Sequence, residues 1–323
     1  MITNPTVFIL GAGASKPYGF PTGMGLKNEI LKILGKSLAK NLQRAKLEKN
    51  NPNYSEVWNY IVEEYGEQTV VKFFNELRRS GFSSVDAFLE NRDIYIDLGK
   101  TLISMELIKY EDENQLYSKP QENWYQYLYH NTLRASFDEF ADNNVAFLTF
   151  NYDRSLEQFF MNAIMSDYGK TENESASLMQ SIPIIHLHGL LGNLPAFSSE
   201  SSRLYNSSIT PDILEICRSK IKIIHEGISE DEQFKEAHKL LSEAKQIWFL
   251  GFGYDKTNIE RLNLPNLLRS NQNVFGTTFE MEQGEVMRYV YNGLNGKIEL
   301  SNILDKAGYD NLNYLRHYCN HLL

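Results

Sequence analysis

Residues 7–23, VFILGAGASKPYGFPTG, begin with a continuous apolar run that ends in glycines. Continuous rather than alternating hydrophobicity is typical of a strand buried on both faces, as in a parallel sheet. Gly11 and Gly13 follow this run, and glycines at such a place let the backbone approach a pyrophosphate closely. The exposed N–H groups of the turn, with a helix N-terminus nearby, suit the oxygens of an anion. The stretch therefore predicts a first buried strand and a phosphate-binding turn.

Four further short apolar runs have the same continuous character, and helical stretches lie between them. Strands alternating with helices predict a doubly wound architecture. We therefore expect an α/β protein with a Rossmann-like, doubly wound parallel sheet of about five to six strands. The predicted strands are Thr6–Leu10, Val145–Phe150, Ile184–Leu187, Ile247–Leu250 and Asn273–Gly276.

A long helical detour separates the first two predicted strands. Residues 54–140 carry no strand pattern, and helical periods recur at Glu56–Tyr65, Val70–Arg79 and Trp124–Phe140. We predict one domain, residues 1–323, with a helical insertion at 54–140 whose aromatic side chains form core. An earlier helix is predicted by a leucine row at every fourth residue, which comprises Leu26, Ile30, Leu34, Leu38 and Leu42.

Composition excludes several classes of protein. With 323 residues and 42% hydrophobic side chains the chain can bury a core, and its net charge of −9 argues against direct nucleic-acid binding. Cys217 and Cys319 stand alone, so neither a disulfide framework nor a four-thiolate zinc site is expected. The N-terminus lacks a cleavable leader pattern, and no apolar run reaches the roughly 18 to 20 residues of a membrane span. These features favour a cytoplasmic protein without a bound metal.

The first motif departs from the dehydrogenase fingerprint. That fingerprint needs a third glycine, where this chain has Lys16, and an acidic residue about 20 residues further on. The chain continues instead into a long helix. A hydride-transferring Rossmann enzyme is therefore disfavoured, although Gly11 and Gly13 still predict a phosphate-binding turn.

The second motif, VAFLTFNYDRSLEQFF at residues 145–160, delivers Asn151 and Asp153 to the carboxyl end of a buried strand. Ligands bind at that end in open α/β sheets. Asn and Asp just before a helix also serve as caps, so the motif alone leaves both interpretations open.

The third motif, IPIIHLHGLLGN at residues 182–193, ends a strand at His188 and Gly189. His186 and His188 share a face if the strand is regular. Most histidines in apolar strands are satisfied core residues, and a zinc site would need a third ligand that the sequence does not supply. We favour an acid/base role for His188, with a pKa near its ordinary value of about 6.5.

Two more strand ends complete the pattern. IWFLGFGYDKTN, residues 247–258, repeats the strand–glycine–helix arrangement at Gly251 and Gly253. NVFGTTFE, residues 273–280, ends a strand at Gly276 and Thr277. Because five strand ends converge on small or polar residues, one ligand site at this rim is expected.

Taken together, GAGAS with the following GFP, NYD, HG, GFGY and FGTT resemble the sirtuin-like domain of bacterial antiphage defence proteins, over nearly the whole chain. The resemblance implies that Asn151 and His188 are the catalytic pair and that Asp153 contacts the nicotinamide carboxamide. It also implies a set of NAD contacts along the glycine turns and the GFP loop: Gly11, Ala12, Gly13, Ser15, Phe20, Pro21, Thr22, Gly251, Gly253, Tyr254, Gly276 and Thr277. SVDAFL, residues 84–89, also looks like a segment common in that group, with no chemistry assigned.

One departure guides the expected function. Protein-deacylating sirtuins carry a four-cysteine zinc module after the catalytic histidine, and this chain has only Cys217 there. The resemblance therefore implies an NAD glycohydrolase that depletes NAD in abortive infection. It implies a homo-oligomer or a complex with a short Argonaute, a HerA-type ATPase or a nucleotide-pyrophosphatase-like protein. The alternative is a subunit that senses NAD or ADP-ribose without turnover, and a protein deacylase ranks third.

Overall fold

The expected α/β architecture is confirmed by a computed structural model, which describes residues 1–41, 54–223, 231–298 and 308–322. Each predicted strand is present, with bounds that differ by at most one residue at either end. The strands are β1 Thr6–Leu10, β2 Val145–Thr149, β3 Ile184–His186, β4 Gln246–Leu250 and β5 Asn273–Gly276.

Helices surround this sheet. In chain order they are α1 Ala12–Ser15, α2 Gly23–Asn41, α3 Tyr54–Tyr65, α4 Glu67–Arg79, α5 Val85–Leu89, α6 Ile96–Ile108, α7 Trp124–Leu128, α8 Ser155–Tyr168, α9 Glu172–Met179, α10 Pro211–Lys220, α11 Glu232–Glu243, α12 Lys256–Arg261, α13 Leu264–Leu267, α14 Gln283–Glu285 and α15 Asn311–Tyr318. None of the described helices is long and apolar enough to cross a membrane.

The strands pair in the order β3-β2-β1-β4-β5, and all pairs are parallel. Leu10 at the end of β1 pairs with Thr149 of β2 and with Leu250 of β4, and Thr149 also pairs with His186 of β3. The residues that follow these strand ends consequently lie along one rim of the sheet. The chain runs outward from β1 to β2 and β3 and then crosses back to β4 on the other side of β1. The reversal between β1 and β4 is the switch point where doubly wound folds bind ligands.

Alternate strand residues face two different hydrophobic cores. Phe8 and Phe147 stack with ring centroids 5.2 Å apart on the face that α2 to α10 and α15 cover. Ile9 and Leu148 point to the opposite face, which α11 to α13 cover. Burial on both faces explains why the strands are continuously apolar.

The inserted stretch 54–140 contains helices and turns and no strand among its described residues. Its side chains belong to the same hydrophobic cluster as one face of the sheet. Trp124 ties α7 directly beneath the glycine turn, because its indole nitrogen donates to the Ala14 carbonyl at 2.8 Å. The insertion therefore forms one wall of the rim where the site is expected.

Two helix predictions need comment. The helix expected over Trp124–Phe140 is wrong in length, since α7 ends at Leu128 and passes into a π turn that ends at Leu133. The Asn143 side chain donates to the Leu133 and Phe140 carbonyls at 2.8 and 2.9 Å, which satisfies backbone groups that the interrupted helix leaves open. In the leucine row, Leu26, Ile30 and Leu34 are buried as predicted, and Leu42 lies outside the described residues.

Candidate functional site

The glycine turn packs against the second glycine motif. Gly11 N donates to the Leu250 carbonyl at 3.1 Å, Gly13 N to the Gly251 carbonyl at 3.0 Å, and Ala14 N to the Gly11 carbonyl at 2.8 Å. A Cβ added at Gly11 would lie 2.6 Å from the Gly251 oxygen. Three N–H groups of the turn are thus engaged by protein carbonyls, whereas the sequence suggested that exposed N–H groups would bind a phosphate. Close contact between two turns is what requires these glycines.

Gly251 and Gly253 make a matched pair for testing this contact. Gly251 has φ of +56°, and an added Cβ would lie 2.0 Å from Ala14 N, whereas nothing lies within 4 Å of a Cβ added at Gly253. We expect Gly251→Ala to lower the free energy of unfolding by at least about 2 kcal/mol. Gly253→Ala should change it by no more than about 0.5 kcal/mol. Urea unfolding measures both, and equal stabilities would contradict the contact.

Asn151 joins the second motif to the glycine turn. Its side-chain nitrogen donates to the Gly11 carbonyl at 2.9 Å and to the Ser15 hydroxyl at 3.0 Å. The contact arises because β1 and β2 are neighbours in register, with Leu10 opposite Thr149. Two motifs 140 residues apart in the chain therefore meet at the rim.

Seven of the sequence-predicted residues line one cavity of about 80 Å³. They are Ala12, Ser15, Phe20, Pro21, Thr22, Asn151 and Asp153. The remaining lining residues are Gly23, Leu26, Asp86, Leu107, Phe150 and Tyr152. Pockets that enclose small-molecule ligands measure roughly 300–1,000 Å³, so this cavity accommodates one end of a dinucleotide at most.

Asp153 lines the cavity, and hydrogen bonds from Ser155 fix its carboxyl group. The Ser155 hydroxyl donates to Asp153 Oδ1, and Ser155 N reaches the same oxygen at 3.2 Å. Ser155 also contacts the Tyr125 hydroxyl at 2.8 Å, and Tyr125 stacks on Tyr18 with centroids 3.9 Å apart. Burial raises the pKa of Asp153 although hydrogen bonds from Ser155 and Ser15 oppose the shift. The carboxyl is thus a fixed and partly desolvated group.

His186 and His188 face different surroundings, because β3 ends at His186 and Gly189 N then donates back to the His186 carbonyl at 3.0 Å. The His186 ring bridges the Asn151 carbonyl at 2.9 Å and Glu157 Oε1 at 2.6 Å. Burial alone would lower the pKa of His186, but the charge and hydrogen bond of Glu157 outweigh it and raise the pKa. His186 is therefore a histidine with both ring nitrogens hydrogen-bonded, and one of these bonds fixes the backbone of Asn151.

His188 is almost sealed, with 8% of its surface exposed. Its ring packs edge-on against Phe150 at 5.2 Å and lies 6.2 Å from Tyr152. Both aromatic residues line the cavity, whereas His188 is not among its lining residues. Its Nε2 is buried and has no hydrogen-bond partner among the described residues. Burial, followed by the charge of Arg261, lowers its pKa to about 3, against a smaller effect of Asp255. The expected pKa near 6.5 is wrong for this closed arrangement.

The low pKa of His188 predicts how stability depends on pH. The unfolded chain takes up this proton near pH 6.5, but the folded protein does so only near pH 3, so folding loses stability as pH falls below 6.5. His188→Leu removes the effect. We expect the variant's stability relative to wild type to increase by about 1.4 kcal/mol per pH unit between about pH 6 and 4. Urea unfolding across that range measures it, and a constant difference would contradict a buried neutral histidine.

The remaining predicted residues line the adjoining strand ends rather than the cavity. The Thr277 hydroxyl accepts a hydrogen bond from Gly251 N at 3.0 Å and so supports the second glycine turn. Tyr254 is buried in the core, with its hydroxyl against Gly276 and without a hydrogen-bond partner among the described residues. Gly253 is exposed. Of these residues, Gly253 has the greatest access to a ligand in this structure.

A buried charge cluster anchors the loop that follows His188. Glu111 binds the Arg154 guanidinium in a bidentate manner at 2.7 and 2.9 Å and also accepts from Arg203 at 2.7 Å, with all three side chains fully buried. Arg154 further donates to the Gly192 and Asn193 carbonyls, each at 3.2 Å. The polar composition of residues 189–211 predicts a mobile loop. The hydrogen bonds from Arg154 nevertheless attach the first half of this loop to the start of α8.

Sequence reasoning assigned no role to Asp86, Glu111, Arg154, Glu157 or Arg203. Asp86 falls in the SVDAFL segment, to which the resemblance assigns no chemistry. Arg154 directly follows NYD, and Glu157 lies in the first turn of the next helix, so proximity to the motif was their only signal. Glu157 and His186 are 29 residues apart in the chain, Glu111 and Arg154 are 43 apart, and Asp86 and Tyr152 are 66 apart, so no local pattern links these partners.

Comparison with known proteins adds no assignment, since no protein-family model and no curated protein matches the chain. Within the described ranges, no group of three or more His, Cys, Asp or Glu side chains is arranged to hold a metal ion.

Proposed function

We propose that the chain is an NAD glycohydrolase that cleaves the nicotinamide–ribose bond to give nicotinamide and ADP-ribose. The observation that carries the proposal is the pair of hydrogen bonds that the Asn151 side chain donates, to the Gly11 carbonyl at 2.9 Å and to the Ser15 hydroxyl at 3.0 Å. It joins the NYD motif to a glycine turn at the carboxyl ends of neighbouring parallel strands. This is the part of an open α/β sheet that binds nucleotides.

The reaction does not require a strong general acid. Cleavage passes through an oxocarbenium-like state, as in other glycosidic cleavages, and nicotinamide departs as a neutral molecule. One water molecule is consumed and one proton is released. Asn151 orients the water or the ribose hydroxyls, and His188 accepts the proton. His188 is neutral in the closed arrangement and so has the right form, but a pKa of about 3 makes it a weak base. Activity therefore requires the ring to become more exposed, which moves its pKa back towards 6.5.

The small cavity points to regulation. An enzyme that depletes NAD without control would kill its own cell, so an effector of abortive infection needs a restrained state. A cavity of about 80 Å³ with a sealed His188 is compatible with restraint. We propose that oligomerisation or a companion sensor protein opens the site. A short Argonaute, a HerA-type ATPase and a nucleotide-pyrophosphatase-like protein are the candidate companions.

The same features favour a second candidate function. A subunit that senses NAD or ADP-ribose would need a nucleotide site but no functional base. The depressed pKa of His188 and its position behind Phe150 and Tyr152 fit that function without further movement.

Incubation with NAD separates the two candidates. The purified chain is incubated with NAD, alone and with the protein encoded by the neighbouring gene, and nicotinamide and ADP-ribose are separated by chromatography. The proposal expects both products in equal amounts, at least with the companion present. Binding of NAD by calorimetry with the NAD pool unchanged under both conditions would contradict hydrolysis and support sensing.

A further inference from the structure

The cavity beside Asn151 has an acidic and aromatic lining that the roles proposed for Asn151 and His188 do not explain. Two carboxyl groups line it, from Asp86 and Asp153. Its aromatic lining residues are Phe20, Phe150 and Tyr152. No lysine or arginine is among the lining residues in the part of the chain that the structure describes. Such a lining attracts cations and repels phosphate groups.

Asp86 is the carboxylate that the insertion contributes. It lies in the first turn of α5, which begins after Ser84, whose hydroxyl accepts from Ala87 N at 3.1 Å. The Tyr152 hydroxyl donates to Asp86 Oδ1 across the gap between the insertion and the NYD motif. Asp86 is half-buried, so it is oriented by Tyr152 while still open to the cavity.

The surroundings of Asp86 leave its charge undercompensated. Burial raises its pKa above 3.8, although the hydrogen bond from Tyr152 and the charge of Arg261 oppose the shift. A group in this condition gains from an approaching positive charge, which stabilises the ionised form. The Asp86 carboxylate can therefore attract a cationic ring into the cavity.

We infer that Asp86 selects the positively charged nicotinamide ring of oxidised NAD, with the aromatic side chains as the walls of its site. The inference rests on the proposed function and adds a specificity residue to it. A carboxylate and aromatic faces both attract a pyridinium cation. The reduced nucleotide carries a neutral ring of nearly the same shape and gains neither attraction. The acidic lining repels the phosphates, so this inference places them outside the cavity.

Binding of two matched nucleotides tests this role. Calorimetry compares NADH with carba-NAD⁺, in which a methylene replaces the ribose ring oxygen so that the bond is not cleaved while the pyridinium charge remains. Asp86→Asn keeps the shape of the side chain and removes its charge. Asp138→Asn, at an exposed position, makes the same change in net charge elsewhere. We expect Asp86→Asn to weaken carba-NAD⁺ binding by roughly tenfold and NADH binding by less than about twofold, and Asp138→Asn to alter neither.

The outcomes separate this inference from the proposed function. Equal weakening of both nucleotides, unchanged carba-NAD⁺ binding, or no binding to the wild type would overturn the role of Asp86. If the wild type releases nicotinamide but Asp86→Asn binds normally, only the inference fails. If charge-selective binding is found without any release of nicotinamide, the inference stands and hydrolysis is contradicted. Thermal unfolding of Asp86→Asn establishes that the variant is folded.

Discussion

Replacing His188 by leucine is expected to reduce nicotinamide release by roughly 10² to 10⁴-fold, since a positioned general base contributes about that factor. The same change should stabilise the fold. It removes Nε2, a buried ring nitrogen without a partner among the described residues, and an unsatisfied buried polar atom costs roughly 1–3 kcal/mol. We expect the free energy of unfolding at neutral pH to rise by about 1 kcal/mol, because leucine is similar in volume and fits the aromatic surroundings. Product chromatography and urea unfolding measure the two effects.

Asn151→Ala is the matched comparison. It should also lose activity, but it should lower stability, because two hydrogen bonds to the glycine turn are lost at roughly 0.5–1.5 kcal/mol each. Wild-type activity in His188→Leu would remove this residue from the mechanism. A marked loss of stability in the same variant would contradict our account of its burial.

Glu111→Gln is expected to lower the free energy of unfolding by about 3–5 kcal/mol, the effect of removing one partner from a buried ion pair. Glu111 is the common acceptor for Arg154 and Arg203, and all three side chains have no exposed surface. The neutral amide leaves two buried guanidinium cations without a counter-charge. Arg154 also donates to two carbonyls of the loop after His188, so the substitution should weaken the attachment of this loop as well as the stability of the fold.

Glu236→Gln is the control for this prediction, since Glu236 is exposed on α11 and its replacement should change stability by no more than about 0.5 kcal/mol. Urea unfolding of both variants gives the comparison. A loss below about 1 kcal/mol in Glu111→Gln would mean that the cluster tolerates an unpaired cation, in conflict with its complete burial.

The sheet was predictable because its strands are buried on both faces. Val7 to Leu10 and Ala146 to Leu148 are continuous apolar runs, and such runs indicate a parallel sheet without reference to any partner. Once the strands are parallel, their carboxyl ends share a rim, and the approach of Asn151 to the glycine turn follows. The hydrogen bond from the Asn151 side chain to the Gly11 carbonyl is the contact that this arrangement predicts.

The interior of the site was not predictable in the same way. Whether His188 faces the cavity depends on where β3 ends and how Phe150 and Tyr152 pack, and neither is fixed by local pattern. The glycines were expected to expose N–H groups, but the distant Gly251 takes the one at Gly13. Asp86 reaches the cavity only because the insertion folds over the rim. Long-range packing decides each of these features.

The central claim is that one crevice holds the nicotinamide end of NAD between the glycine turn, Asn151 and His188. A crystal structure of the protein with carba-NAD⁺ tests it most directly. Our account predicts the nicotinamide ring in the cavity that Asp86 and Asp153 line, the adjacent ribose within hydrogen-bond distance of Asn151, and a His188 ring that has become exposed to it. A nucleotide bound elsewhere, or bound in the crevice while His188 stays sealed behind Phe150 and Tyr152, would contradict it.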